Sequence, residues 1–101
     1  MILEGRLNLR HDNDDFIMFS KGRSVNINNI LHTLYMEYAD VYVSIVHLYT
    51  GEELFKASGS LYKDKIQPKY YTYHIDGQDL EEILWNNVGS KLSIEIKNIT
   101  Q

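Results

Sequence analysis

Gly22-Arg23-Ser24-Val25-Asn26-Ile27-Asn28-Asn29-Ile30-Leu31-His32-Thr33-Leu34 sets the architecture of this chain. A glycine marks a turn, Asn26 follows as a helix cap, and apolar residues then recur at helical spacing. Ile27, Ile30, Leu31, Leu34, Tyr35 and Tyr38 fall on one stripe, which predicts an amphipathic helix ending near Tyr38. Asn26 suits the cap because its side-chain oxygen can accept from free N–H groups of the first turn. The same order returns at Gly77-Gln78-Asp79-Leu80-Glu81-Glu82-Ile83-Leu84. Asp79 with Glu82 makes a capping-box-like pair, Leu80, Ile83, Leu84 and Val88 form the second stripe, and Gly89 suits its end.

Around these helices the apolar period is two, which predicts strands with one buried face. Leu3, Gly5, Leu7 and Leu9 alternate with polar residues. Phe16-Ile17-Met18-Phe19 is a second strand, reached through the turn His11-Asp12-Asn13-Asp14-Asp15. Val41, Val43 and Ile45 make a third, running to about Tyr49. Phe55, Ala57, Gly59 and Leu61 make a fourth, Tyr71, Tyr73 and Ile75 a fifth, and Leu92, Ile94 and Ile96 a sixth. Lys63 to Lys69, with Pro68, reads as a basic loop.

The chain thus repeats one plan. Leu3-x-Gly5-x-Leu7 matches Ala57-x-Gly59-x-Leu61, and Gly22 and Gly77 follow those glycines by 17 and 18 residues. Ile27, Ile30 and Leu31 match Leu80, Ile83 and Leu84. The expectation is one α+β domain over 1–101, built from two ββαβ units (about 1–50 and 51–101) with pseudo-twofold symmetry. Pairing two such units removes unpaired edges, so the predicted form is a six-stranded small β-barrel or strongly curved sheet with two short helices. Glycine on the first and fourth strands would permit close approach at a barrel corner.

The segment 22–49, with an echo at 77–97, resembles the core of AbrB/MazE-type swapped-hairpin proteins. The likeness lies in Gly22-Arg23-x-Val25, Ile30, Leu34, Asp40 and the strand at Val41. Relatives of that family include double-psi barrels, in which two strand-strand-helix-strand units interlock in one chain. The resemblance implies a barrel, complete as a monomer or formed by a homodimer. It also implies DNA contacts from basic residues near the strand arms, here Arg6, Arg10, Lys21 and Arg23. Against DNA stand the net charge of −4 and the acidic turn Asp12, Asp14 and Asp15 beside those residues, since a basic face is the usual footprint.

Composition narrows the remaining classes. No cysteine is present, which excludes disulfides and thiolate metal sites and fits a reducing compartment. His11, His32, His47 and His74 show no paired ligand spacing, so no metal and no cofactor is expected. Asp12 to Asp15 lack the glycine and distant glutamate of a calcium loop. No nucleophile elbow accompanies the serines, and Glu52-Glu53 and Glu81-Glu82 sit at element starts, where carboxylates suit turns and helix N-termini. The expectation is therefore no enzyme. The longest apolar runs fall far short of the roughly 20 residues of a membrane span. Met1 to Arg6 carries charge early, unlike a secretory leader, so cytoplasmic location is expected.

Binding candidates are aromatic and basic. Eight tyrosines occur, and tyrosine carries an apolar body and a polar tip. If Val41 and Val43 face inward, Tyr42 faces out; if Ala57 and Leu61 face inward, Tyr62 faces out. Exposed aromatics on a sheet suit protein recognition, making a protein partner the first expectation. Size and acidity fit an accessory or inhibitor protein of a phage or other mobile element. Lys63, Lys65 and Lys69, interleaved with Tyr62, Tyr70 and Tyr71, make a nucleotide or single-stranded nucleic acid the alternative ligand. The acidic turn at 12–15 and the basic stretch at 63–69 are where the two halves differ most.

Overall fold

The computed structural model describes residues 1–10, 14–67 and 70–101, and for residues 65–67, 70 and 71 the backbone only. In chain order the elements are β1 (Ile2–Leu9), β2 (Phe16–Ser20), β3 (Arg23–Asn26), α1 (Ile27–Met36), β4 (Asp40–His47), β5 (Glu53–Gln67), β6 (Tyr70–Ile75), β7 (Gln78–Asp79), α2 (Leu80–Asn86) and β8 (Lys91–Asn98). The strands form one antiparallel sheet in the order β3-β2-β1-β8-β4-β5-β6-β7.

That order maps onto itself when the halves are exchanged. β1, β2, β3 and β4 take the places of β5, β6, β7 and β8, and the pseudo-twofold passes between β4 and β8. The register obeys the same exchange. Ser44 opposes Glu95 at the centre, flanked by Val43 opposite Ile96 and Ile45 opposite Ile94.

Two hairpins explain how each unit enters its helix. Lys21 and Gly22 both have positive φ (52° and 77°), as do Asp76 and Gly77 (51° and 72°). Paired residues flank each turn, Ser20 with Arg23 and Ile75 with Gln78. Positive φ at both central positions is the requirement of a two-residue type I′ turn, whose twist matches antiparallel strands. The short strand leaving each turn runs straight into a cap. Asn26 accepts from the Asn29 N–H at 3.0 Å, and Asp79 from the Glu81 and Glu82 N–H groups at 3.0 and 3.2 Å.

Both helices lie on one face. Ile27 and Leu31 of α1 and Leu80 and Leu84 of α2 share a single buried cluster with the inward residues of all the longer strands, among them Leu3, Leu7, Met18, Val43, Leu61, Ile75 and Ile94. Each fully buried aliphatic side chain here contributes about 1.5–3 kcal/mol. The other face carries no helix: Ser44, Ser58, Ser60, Ser93, Glu95 and Lys97 alternate with the buried set, and the exposed Ile2, Phe19 and Tyr62 lie among its outward positions.

The outer strands bend away from the centre. β1 pairs with β8 through Ile2–Arg6 and with β2 only from Leu7 onward. β5 likewise pairs with β4 up to Ser60 and with β6 from Leu61. Gly5 and Gly59 sit at these hand-overs. A Cβ on Gly5 would collide with the carbonyl oxygen of Phe19, and beside it the Glu4 N–H turns to the Ser20 Oγ at 3.2 Å. Glycine is therefore needed for the bend, as the sequence suggests, although no barrel forms.

The closed or six-stranded form is corrected by this topology. The sheet has eight strands and is open, with β3 and β7 at its edges, and each unit is βββαβ rather than ββαβ. β3 and β7, of four and two residues, are too short to show a period of two. They also cannot close the sheet, because each turns directly into a helix, and short edges of this kind limit edge-to-edge association. Of the stretch read as a basic loop, residues 63–67 are strand: β5 continues to Gln67 and β6 begins at Tyr70, while residues 68 and 69 lie outside the described residues. α1 ends at Met36, two residues early, and Tyr38 takes positive φ beyond it. Among the described residues no helix is long and apolar enough to cross a membrane.

Candidate functional site

The residues singled out for binding do not converge. Tyr42 and Tyr62 both lie on the helix-free face, but Tyr42 is half-buried beneath Lys97, whose Nζ stands 5.6 Å from the ring centre. Lys97 is tied in turn to Glu95 at 3.6 Å. Tyr62 is 62% exposed and packs edge-on against His74, its cross-strand partner. Lys63, one residue on, faces the helices instead. The side chains of Lys65 and Tyr71, and all of Lys69, lie outside the described residues.

The residues proposed for DNA are spread along the β1–β3 wing. Arg6 donates to the Gly89 carbonyl at 2.6 Å. Lys21 occupies the turn, and Arg23 opens the edge strand β3. Arg10 stands beside the acidic residues, its carbonyl accepting from the Asp14 N–H at 3.0 Å and its N–H donating to the Asp15 carbonyl at 2.8 Å. Of the acidic turn, residues 11–13 lie outside the described residues. Among the described residues no group of His, Asp and Glu could hold a metal ion.

What the fold does assemble is a cluster between α1, β5, β6 and α2. Lys63 Nζ lies 5.4 Å from the Tyr35 ring centre and 5.8 Å from that of Tyr73. The two rings meet edge to face at 6.1 Å, and the Tyr73 hydroxyl lies 3.4 Å from His32 Nδ1. Burial, then the nearby Glu81, Tyr35 and Asp15, push the Tyr73 phenol up to about 12. It is therefore a hydrogen-bonding hydroxyl at neutral pH rather than a phenolate.

Glu81 is the unexpected member. It is only 6% exposed, and its Oε1 is buried without a hydrogen-bond partner. Burial, reinforced by Asp79 and Asp15 and opposed by the backbone N–H of Tyr73, raises its carboxyl from 4.5 to about 7. A value near neutrality is what acid–base catalysis uses, but the internal repeat explains it structurally. Glu81 in α2 corresponds to Asn28 in α1, and Tyr73 to Phe16. Asn28 Oδ1 accepts from the Phe16 N–H at 2.7 Å, just as Glu81 receives the Tyr73 N–H. Each helix thus reaches a neighbouring strand from its first turn, one with an amide and the other with a carboxyl whose proton burial holds up to about pH 7. Sequence spacing could have placed Glu81 inside, since it lies three residues before Leu84 on the buried stripe; its position at a helix start suggests a solvated carboxylate instead.

The second feature is an open groove of about 370 Å³ between α1 and the ends of β1 and β8. Met1, Ile30, Leu34 and Ile96 supply its apolar lining, and Asn29, Thr33 and Asn98 its rim. Thr33 Oγ1 is engaged with the Asn29 carbonyl at 2.9 Å, and Asn98 Oδ1 accepts from the Thr100 N–H at 3.0 Å. No charged side chain lines the groove. Its size falls within the range of ligand pockets, about 300–1,000 Å³, which are mostly apolar with few polar groups. Ile30 and Leu34 were legible as helix stripe, but their opening toward Met1 and Ile96 depends on the pairing of β1 with β8. No family model, curated protein or solved structure matches the chain.

Proposed function

We propose that this protein is a non-enzymatic recognition domain that binds another protein through the groove beside α1. The observation that carries this reading is an open apolar groove of about 370 Å³ lined by Met1, Ile30, Leu34 and Ile96. Apolar pockets that receive an anchor side chain dominate the energetics of many protein interfaces. The tyrosines of the helix-free face are less suited, because Lys97 lies over Tyr42 and Tyr62 packs against His74. A buried Glu81 that repeats the role of Asn28 leaves the titratable cluster a packing role. Cytoplasmic action as a monomer or homodimer belongs to the same reading.

The test is selection of a random peptide library against the immobilised full chain. The expected result is a family of peptides that bind saturably and are lost in Thr33→Trp and Asn98→Trp, which fill the groove from exposed rim positions while the circular-dichroism melt stays that of the parent. Failure to enrich any peptide, or binding indifferent to both substitutions, overturns the proposal.

A further inference from the structure

Building on that reading, we infer that the groove takes an uncharged aromatic side chain from the partner. The molecule carries its own template. By strand register Met1 and Phe55 are equivalent: Met1 exchanges hydrogen bonds with Ile96, at 3.0 Å from its nitrogen and 2.9 Å to its carbonyl, while Phe55 opposes Ile45. Ile96 and Ile45 correspond across the pseudo-twofold, as do Ile30 of α1 and Ile83 of α2. In the second half the equivalent position holds Phe55, which is 5% exposed and belongs to the core against which Ile83 packs. In the first half Met1 is 61% exposed and the frame stands open. One corner of the repeat is filled from within by a phenyl ring. The other offers the same floor and helix to a ring from outside.

Size and charge select the same occupant. A groove of about 370 Å³ holds one or two side chains of a partner. A lysine anchor would find no opposite charge, because the rim is Asn29, Thr33 and Asn98 and the hydroxyl of Thr33 is already bonded, and the one charge at the groove, the Met1 ammonium, is positive and held by the Ile96 carbonyl at 3.0 Å. Burying an unpaired charge there is costly, whereas a ring loses only water contact.

The experiment titrates ¹⁵N-labelled full chain with N-acetyl-phenylalaninamide, N-acetyl-leucinamide and N-acetyl-lysinamide. The phenylalanine probe is expected to give saturable shifts confined to the amides of Asn29–Leu34 and Ile96–Asn98. The leucine probe should bind about fivefold more weakly, following its smaller apolar area, and the lysine probe should cause no shift. Thr33→Trp should abolish the shifts. Equal or tighter binding of leucine, or shifts located elsewhere, overturns the inference. The two proposals fail separately. Groove-directed peptides with aliphatic anchors remove the aromatic inference and leave the recognition reading; absence of groove-directed peptides removes the recognition reading even if the phenyl probe binds.

Discussion

Glu81→Gln converts the carboxyl latch of the second half into the amide latch of the first, and its effect on stability can be worked from the structure. The folded-state carboxyl is raised from 4.5 to about 7. The folded protein therefore holds this proton more tightly than the unfolded chain does. Below pH 4.5 both states are protonated and the group has no differential effect. As pH rises from 4.5 through 7 the unfolded chain ionises first, and stability falls across that window. At about 1.4 kcal/mol per pH unit, the full loss above pH 8 is about 3 kcal/mol. Glutamine keeps an acceptor for the Tyr73 N–H and cannot ionise, so it escapes this loss. Urea unfolding, followed by circular dichroism at intervals from pH 4.5 to 8.5, should show parent and variant nearly equal at the acid end. The variant should then gain up to about 3 kcal/mol at the alkaline end, a rise in Tm of about 10 °C or more for a domain of this size. Contributions of other groups cancel in the difference between the two proteins. A difference that does not change with pH, or a variant less stable at pH 8.5, would show that Glu81 is not a buried latch with a raised pKa.

Three further substitutions probe the same architecture. Asn28→Ala leaves the Phe16 N–H without its acceptor and should cost about 1–3 kcal/mol in urea unfolding; a loss below half a kcal/mol would remove the latch. Gly5→Ala places a methyl against the Phe19 carbonyl and should destabilise by about 1–3 kcal/mol, with the amide shifts of β1 and β2 displaced; an unaffected melt would mean the bend does not depend on that approach. Gly77→Ala puts a side chain at φ 72° and should cost about 1–2 kcal/mol, and Gly22→Ala the same, by thermal melt; tolerance of both would contradict the paired type I′ turns.

The local grammar of the chain was readable residue by residue. Asn26 and Asp79 cap the helices that their apolar stripes predict, because capping and amphipathicity are decided within a few positions. Val41, Val43 and Ile45 and their counterparts Leu92, Ile94 and Ile96 bury the face that alternation assigns them. The matched glycines anticipated a repeated plan, which strand order and register display. Less was readable at the hairpin tips. Gly22 and Gly77 signal turns, but the two- and four-residue strands beyond them carry too few residues for a period to appear.

Closure and function both turned on distant pairings. Whether the sheet closes depends on where β3 and β7 go next, and each is consumed by its own helix. Glu81 was legible as a helix-start carboxylate, yet its raised pKa comes from burial in the tertiary structure, to which the charge of Asp15, more than sixty residues away along the chain, adds. The tyrosine faces were predicted correctly by alternation, but only cross-strand register brought Lys97 over Tyr42. The groove exists because β1 pairs with β8 beside α1, which joins Met1 to Ile96. Short-range sterics and hydrogen bonding determined the elements from sequence alone; the open edges, the buried carboxyl and the unfilled corner arise from contacts between residues far apart in the chain, which only the tertiary structure decides.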